Sequence, residues 1–336
     1  MTVIVLLSYY IAIQILNVEY YKGHYHASML IYEEEKNMIL QYAKVFGKNM
    51  AYRIYGEGSV DVVLMTGLGS CIGEYEQLAQ HLSKRHTVLC YERFGYGGSE
   101  TTERERTPAN IAAECAELLK RIAHQEKIIL VAHSQGGLYA NQYVRFYPDQ
   151  VAKMILLDPL SPEDELFQKK LTKEEYRKSG VDKTAGLRLN LWLLRMGMGG
   201  LVKRMMSSAP PFYYYNDFTQ EETDYILECL TSKTVYHTAL KEYKMAHVRE
   251  HLENLRSKGD FPDIPLCLIT HSSKIAVEEI MKFGNADMGT AEKVEALWQE
   301  LMGRYLKLSG QSSYLCSENS SHAIHLTDWE MIGRIV

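Results

Sequence analysis

Ile128-Ile129-Leu130-Val131-Ala132-His133-Ser134-Gln135-Gly136-Gly137 opens with four β-branched or leucyl residues in a row, the composition of a strand covered on both faces within a parallel sheet. A helix is predicted to follow at once. Leu138, Tyr139, Tyr143, Val144, Phe146 and Tyr147 recur at helical spacing until Pro148 and Asp149 interrupt. Ser134 therefore stands at a strand-turn-helix corner. Such a corner strains the serine backbone, lifts its hydroxyl over the strand ends and requires small residues two positions to either side. Gly136 meets that requirement, and Ala132 stands where the pattern G-x-S-x-G has its first glycine. A chance match in an ordinary loop would lack the strand before and the helix after, so the context argues for a nucleophile.

Upstream, Met50–Tyr55 alternates and stops at Gly56-Glu57-Gly58, and Val62–Met65 forms the next predicted strand. It leads into Thr66-Gly67-Leu68-Gly69-Ser70, whose glycines allow a tight turn with N–H groups facing a ligand. In acyl transfer each donor aimed at the developing oxyanion is worth about 2.7–4 kcal/mol. The N–H groups of Leu68 and Gln135 are the candidate oxyanion hole. Thr87–Tyr91 is a further strand, running into Glu92-Arg93-Phe94-Gly95-Tyr96-Gly97-Gly98-Ser99. Downstream, Val151–Leu157 ends at Asp158-Pro159. A carboxylate at a strand end of a doubly wound sheet lies where ligands bind, although Asp before Pro is also a common turn initiator.

Three segments, Thr66-Gly67-Leu68-Gly69, Glu92–Ser99 and Ala132-His133-Ser134-Gln135-Gly136, in this order and spacing, resemble the α/β-hydrolase superfamily. The resemblance runs from residue 48 to the end and is least specific over 159–262. It departs from the family pattern at three positions, with Thr66 for His, Glu92 for Asp and Ala132 for Gly. None of these carries a catalytic group; Thr66 and Glu92 would brace loops. The resemblance implies a mostly parallel central sheet flanked by helices, with a helical cap inserted after the sixth strand. Core segments are expected at 40–158 and 263–336, and the cap at 159–262.

Most members of the family take the catalytic acid after the strand represented here by Ile264–Thr270. In this chain His271-Ser272-Ser273-Lys274-Ile275-Ala276-Val277 follow, with no carboxylate until Glu278. Other members take it from the earlier strand end, which implies Asp158 as the acid, with Glu278 and then Asp287 in reserve. A triad needs this acid to orient its histidine and stabilise the imidazolium. Ser313–Cys316 reads as the last strand, and the loop Glu318–His325 resembles the family's strand-loop-histidine segment. That makes His322 the base, with His325 one helical turn away as the alternative. The sequon Asn319-Ser320-Ser321 would put a glycan beside this base and is read as unused.

The expected activity is that of a serine hydrolase, with carboxylic ester hydrolysis of a small to medium apolar substrate as the default. Carbon–carbon, thioester or amide cleavage and acyl transfer use the same triad. Serine at the corner disfavours epoxide hydrolase and haloalkane dehalogenase chemistry, for which the family has Asp there. A non-catalytic interaction protein of this fold would be expected to lack Ser, His or the oxyanion glycines, all of which are present. No cofactor or metal is expected. His247-Val248-Arg249-Glu250-His251 matches H-x-x-E-H, a zinc-protease pattern, but it sits in the expected cap with no third ligand distinguished and reads as a solvated helix. Within the cap, Leu187–Met206 is rich in Leu and Met, and Pro210-Pro211-Phe212-Tyr213-Tyr214-Tyr215 follows, composition that suits an apolar pocket.

At 336 residues, 46% hydrophobic and 24% charged, the chain suits one sizeable domain with an insertion. Its formal charge of −5 and lack of a basic block argue against nucleic acid as the main partner. The six cysteines are scattered and read as buried thiols. The uncharged apolar run 2–18, TVIVLLSYYIAIQILNV, is at the short edge of what spans a bilayer and is read as a membrane anchor. The expected localisation is accordingly membrane-anchored, or cytoplasmic if the run instead packs on the domain.

Overall fold

The structure, a computed structural model, describes residues 39–336. Eight strands form one sheet: β1 Gln41–Val45, β2 Lys48–Tyr55, β3 Val60–Met65, β4 Val88–Tyr91, β5 His124–His133, β6 Val151–Leu157, β7 Leu266–His271 and β8 Ser312–Ser317. Their order is β1-β2-β4-β3-β5-β6-β7-β8. β1 and β2 pair antiparallel, as do β2 and β4, and every later pairing is parallel. Parallel strands need crossover connections over the faces. These are supplied by α1 Glu76–Leu82, α2 Pro108–Leu119 and α3 Gly136–Phe146 before the insertion, and by helices of the carboxyl-terminal part after it.

Both faces of the sheet are buried, and alternate residues serve them. Leu130, Ala132, Met154 and Leu156 join a core with Leu138, Tyr139 and Tyr143 of α3. Val131, Ile155, Leu157 and Ile269 join a second core with Ile72, Leu78, Ile324 and Ile332 on the other side. This two-sided burial is why the central strands read as unbroken apolar runs. β1 has no counterpart among the predicted strands. It is an edge strand, mostly exposed, closed onto β2 by Phe46 and Gly47, both at positive φ. A two-residue turn of that kind normally announces itself by Asn-Gly or Asp-Gly, and Phe46 hides it.

Between β6 and β7 the described chain forms seven α-helices and no strand: α4 Glu165–Lys170, α5 Lys173–Lys178, α6 Thr184–Arg195, α7 Gly199–Met206, α8 Gln220–Leu230, α9 Lys233–Met245 and α10 Arg249–Leu252. Local sequence starts several of them. Thr172 and Glu175 form a capping box at α5, Thr219 and Glu222 another at α8, and Ser232 caps α9. Leu191, Leu194 and Val202 pack with Tyr236 of α9. α9 also lays Val235 and Ala239 on Leu68 and Tyr96 of the core, beside Leu187. The chain then returns through β7, α11 Ser273–Gly284, α12 Met288–Tyr305, β8, α13 Ile324–Thr327 and α14 Trp329–Ile335.

One expectation is corrected. The apolar run 2–18 lies outside the described residues, and among the described residues no helix is long and apolar enough to cross a membrane. The longest, α12, carries Glu292, Lys293, Glu295, Glu300 and Arg304, charges that a bilayer interior would reject. No described helix therefore carries the membrane-anchored localisation expected from the sequence. The cysteines are free, five of them buried and Cys316 half-buried.

Candidate active site

Ser134 follows the last residue of β5 and has φ of +53°, a left-handed conformation that is uncommon and strained for a residue with a Cβ. The turn is held from both sides. Ser134 N donates to Leu157 O (3.0 Å), and Ser134 O accepts from Gly137 N (2.9 Å) and Leu160 N (2.8 Å). A Cβ on Gly136 would run into the Met65 carbonyl, so glycine is required there. Ala132 is fully buried opposite Met65 and its methyl group is accommodated.

Asp158 follows the last residue of β6, with φ of +44° and its N–H bonded to Ile269 O (2.8 Å). His133 and Leu157 are register partners, so Ser134 and Asp158 leave adjacent strands side by side. His322, in the loop between β8 and α13, spans them. Its Nδ1 donates to Asp158 Oδ2 (2.6 Å), and its Nε2 lies 2.9 Å from Ser134 Oγ. An ionised carboxylate only accepts, so the proton sits on Nδ1 and leaves Nε2 free to accept from the serine hydroxyl. A histidine so placed can take the hydroxyl proton as Oγ attacks an electrophile.

Asp158 is fully buried. Its Oδ2 also accepts from His271 Nδ1 (2.6 Å), and its Oδ1 accepts from Trp298 Nε1 (2.9 Å). Burial would push the carboxyl up, but His271 and His322 overcome this and hold it well below the usual range. His271 Nε2 faces Glu295 Oε2 at 2.9 Å. Burial disfavours the charged ring, yet the two carboxylates raise it to about 10.

The loop after β3 abuts the corner: a Cβ on Gly67 would sit 3.3 Å from Ser134 Cβ. Among the described residues, the Leu68 and Gln135 N–H groups meet no acceptor in the turn and loop hydrogen bonds. Gly67 N donates to Tyr75 Oη (3.1 Å), which lies 2.9 Å from His133 Nδ1, and His133 Nε2 lies 2.8 Å from the His322 carbonyl. Donor matching runs one way, with Nε2–H to the carbonyl and Tyr75 O–H to Nδ1. Burial, with His322 beside it, pushes His133 down to about 3, so it stays neutral.

A second buried carboxylate ties the insertion to this loop. Glu242 of α9, fully buried, accepts from Arg93 Nε and Nη2 (3.1 and 3.0 Å), Arg106 Nη2 (3.2 Å), Tyr96 Oη (2.8 Å) and Tyr139 Oη (3.2 Å). Arg93 in turn donates to the carbonyls of Thr66 and Gly67, both at 2.8 Å. Glu92 Oε1 accepts from Ile72 N (2.8 Å) and Tyr225 Oη (2.7 Å), a loop brace as expected.

Other predicted residues lie apart. Glu278 is exposed on α11. Asp287 caps α12 by accepting from Thr290 N (2.8 Å). His325 is buried and stacks on Tyr75 with ring centroids 4.2 Å apart. In the H-x-x-E-H match, His247 is engaged by Tyr243 O (2.7 Å) and Asp164 Oδ2 (3.0 Å). Cys71, Glu92 and Cys229 bring ligating atoms within 4.8 Å of one another, as do Asp158, His271 and His322; burial pushes the Cys71 thiol well above its ordinary range. Sequence reasoning missed His271, Glu295, Trp298, Arg93 and Glu242. A signal existed for the two glutamates: Glu242 shares a helix face with Val235 and Ala239, and Glu295 lies among buried Ala291 and Val294. A carboxylate on an apolar helix face requires a partner.

The described architecture agrees with what comparison finds. A family model described as "alpha/beta hydrolase fold" matches residues 62–195. The epoxide hydrolase CorEH, solved without ligand, superposes with a TM-score of 0.59 at 17% identity, over 88% of this chain and 96% of that one. The chain has the α/β-hydrolase fold. Among curated relatives, the Bacillus subtilis (strain 168) protein YbdG, uncharacterized by its own description, is 28% identical over 41% of each chain. The human (lyso)-N-acylphosphatidylethanolamine lipase is 31% identical over 29% of this chain and 30% of its own. The chain spans about two fifths or less of the length of the curated relatives it matches.

Proposed function

We propose that this α/β hydrolase is a serine hydrolase that cleaves a carboxylic ester through an acyl-enzyme, with Ser134 as nucleophile, His322 as base and Asp158 as acid. The observation that carries the reading is His322 bridging Ser134 Oγ at 2.9 Å and Asp158 Oδ2 at 2.6 Å. His322 Nε2 takes the hydroxyl proton as Oγ attacks the ester carbonyl, while Asp158 stabilises the imidazolium that forms. The Leu68 and Gln135 N–H groups receive the oxyanion. His322 then protonates the departing alcohol, and a water activated by the same imidazole releases the acid. The apolar group of Leu68, Leu187, Val235 and Ala239 beside the oxyanion loop supports an apolar substrate, and the name of the human relative, a lipase, is in keeping with ester cleavage.

A fluorophosphonate probe, which reacts only with an activated serine, tests this directly. The wild-type chain is expected to be labelled and Ser134→Ala is not, with turnover of a short aryl ester falling on the order of 10⁶-fold. A chain that resists the probe, or a Ser134→Ala variant with full esterase activity, ends the proposal. A panel of esters of graded length then reads the acyl preference.

A further inference from the structure

We propose that His271, held as an imidazolium between Asp158 and Glu295, is a positioning residue that sets the proton affinity of His322 through the Asp158 oxygen the two histidines share. The inference rests on the serine-hydrolase reading above, since it assigns a role to a residue outside the proposed triad.

The charge on His271 follows from hydrogen-bond matching. Nδ1 faces Asp158 Oδ2 at 2.6 Å and Nε2 faces Glu295 Oε2 at 2.9 Å. Glu295 Oε1 accepts from Ser273 Oγ (2.6 Å) and Gln299 Nε2 (2.8 Å), and as an ionised carboxylate Glu295 would accept at Oε2 as well. Both ring nitrogens of His271 must then carry hydrogen. The ring is buried. Asp158 approaches from the end of β6, Glu295 and Trp298 from α12, and Ser273 from the start of α11. Cys316 on β8 directs its Sγ to the His271 carbonyl at 3.5 Å. The charged or titratable groups facing this cluster are thus Asp158, Glu295, His322 and the Cys316 thiol.

Two histidines drawing on one carboxylate oxygen compete for its charge. An imidazolium at His271 lowers the negative potential that Asp158 presents to His322, so removing that charge should strengthen the hold of Asp158 on a proton at His322. Glu295 acts in the opposite sense by compensating His271 from its far side. The β7 strand end, from which most of the family supplies an acid, here supplies a cation that clamps the acid of the neighbouring strand. Trp298 completes the clamp at the other carboxylate oxygen.

The test compares pH profiles of kcat/KM on a short aryl ester for wild type, His271→Asn and Glu295→Gln. The acidic limb is expected to move up by about one pH unit in His271→Asn and down in Glu295→Gln. Opposite shifts are what a charge effect produces and a packing defect does not. Limbs that stay in place, or that move the same way in both variants, overturn the inference. Histidine ¹H–¹⁵N titrations of the full chain provide a readout that needs no turnover: His271 is expected to stay doubly protonated well above its ordinary range, and the His322 midpoint to rise in His271→Asn. A singly protonated His271 at neutral pH in the wild type also overturns it. Because the titration and the fluorophosphonate label are independent, an unlabelled wild type with a charged His271 counts against the hydrolase reading, while a labelled one with a neutral His271 counts against this inference alone.

Discussion

Asp158 and Glu242 are both fully buried carboxylates, and each accepts hydrogen bonds from two basic side chains. Around Asp158 those side chains are imidazoles, His271 and His322. Around Glu242 they are guanidiniums, Arg93 and Arg106. Burial would push either acid up, and in each case the neighbours reverse the direction and hold it down. The partners differ in what pH can do to them. Guanidinium stays charged throughout the range of folded proteins, whereas imidazole changes charge near neutrality. The carboxylate beside Ser134 is coupled to imidazoles, and the carboxylate beneath the insertion to guanidiniums that only hold.

Breaking the first cluster should have the largest effect. Asp158→Asn is expected to lower turnover of an aryl ester about 10⁴-fold by favouring the wrong tautomer of His322, as measured in steady-state kinetics. Glu242→Gln strikes the second cluster and should appear first as instability. It leaves Arg93 and Arg106 short of a buried partner, a defect of about 3–5 kcal/mol readable by urea denaturation. Its turnover should fall less than that of Asp158→Asn, because Arg93 acts on the Thr66 and Gly67 carbonyls rather than on the reacting atoms.

Thermal melts across pH sharpen the contrast at smaller scale. His271 is raised from 6.5 to about 10, so its contribution is fully present below 6.5 and is lost as pH rises toward 10. Wild type should therefore lose stability over that window, and His271→Gln should lose less. Asp158 and Glu242 are depressed, so their contributions are present above the ordinary carboxylate range of about 4 and fade only as pH falls below it. The smallest effects belong to the two carboxylates that lie apart: Glu278→Gln and Asp287→Asn should leave turnover unchanged, Asn retaining the cap on α12. A loss above about tenfold in either would return that residue to consideration as the acid.

Much of this was legible because it is local. The run Ile128–Val131 and the corner at Ser134 are encoded within a few residues, and both appear in the structure. Asp158 could be named because it follows a strand directly, and His322 because it lies in the loop after the last strand. His271 was visible only as a missing carboxylate, since its partner Glu295 lies on a helix 24 positions later and no local pattern joins them. Glu242 was less accessible still, being 149 positions from Arg93. Strand β1 was hidden for the opposite reason: an exposed edge strand lacks the apolar pattern that burial imposes.

The bond from His133 to the His322 carbonyl has a consequence for alignment. Ser134 and Asp158 are cut from adjoining strand ends, while His322 rides on a loop, yet that loop is gauged from the residue immediately before Ser134. Through Tyr75 and Gly67 the same imidazole also meets the loop that would receive the oxyanion. His133 works as a spacer between two parts that must keep register with a third. Any displacement that carries the loop and the corner together leaves the contact between His322 and Ser134 unchanged.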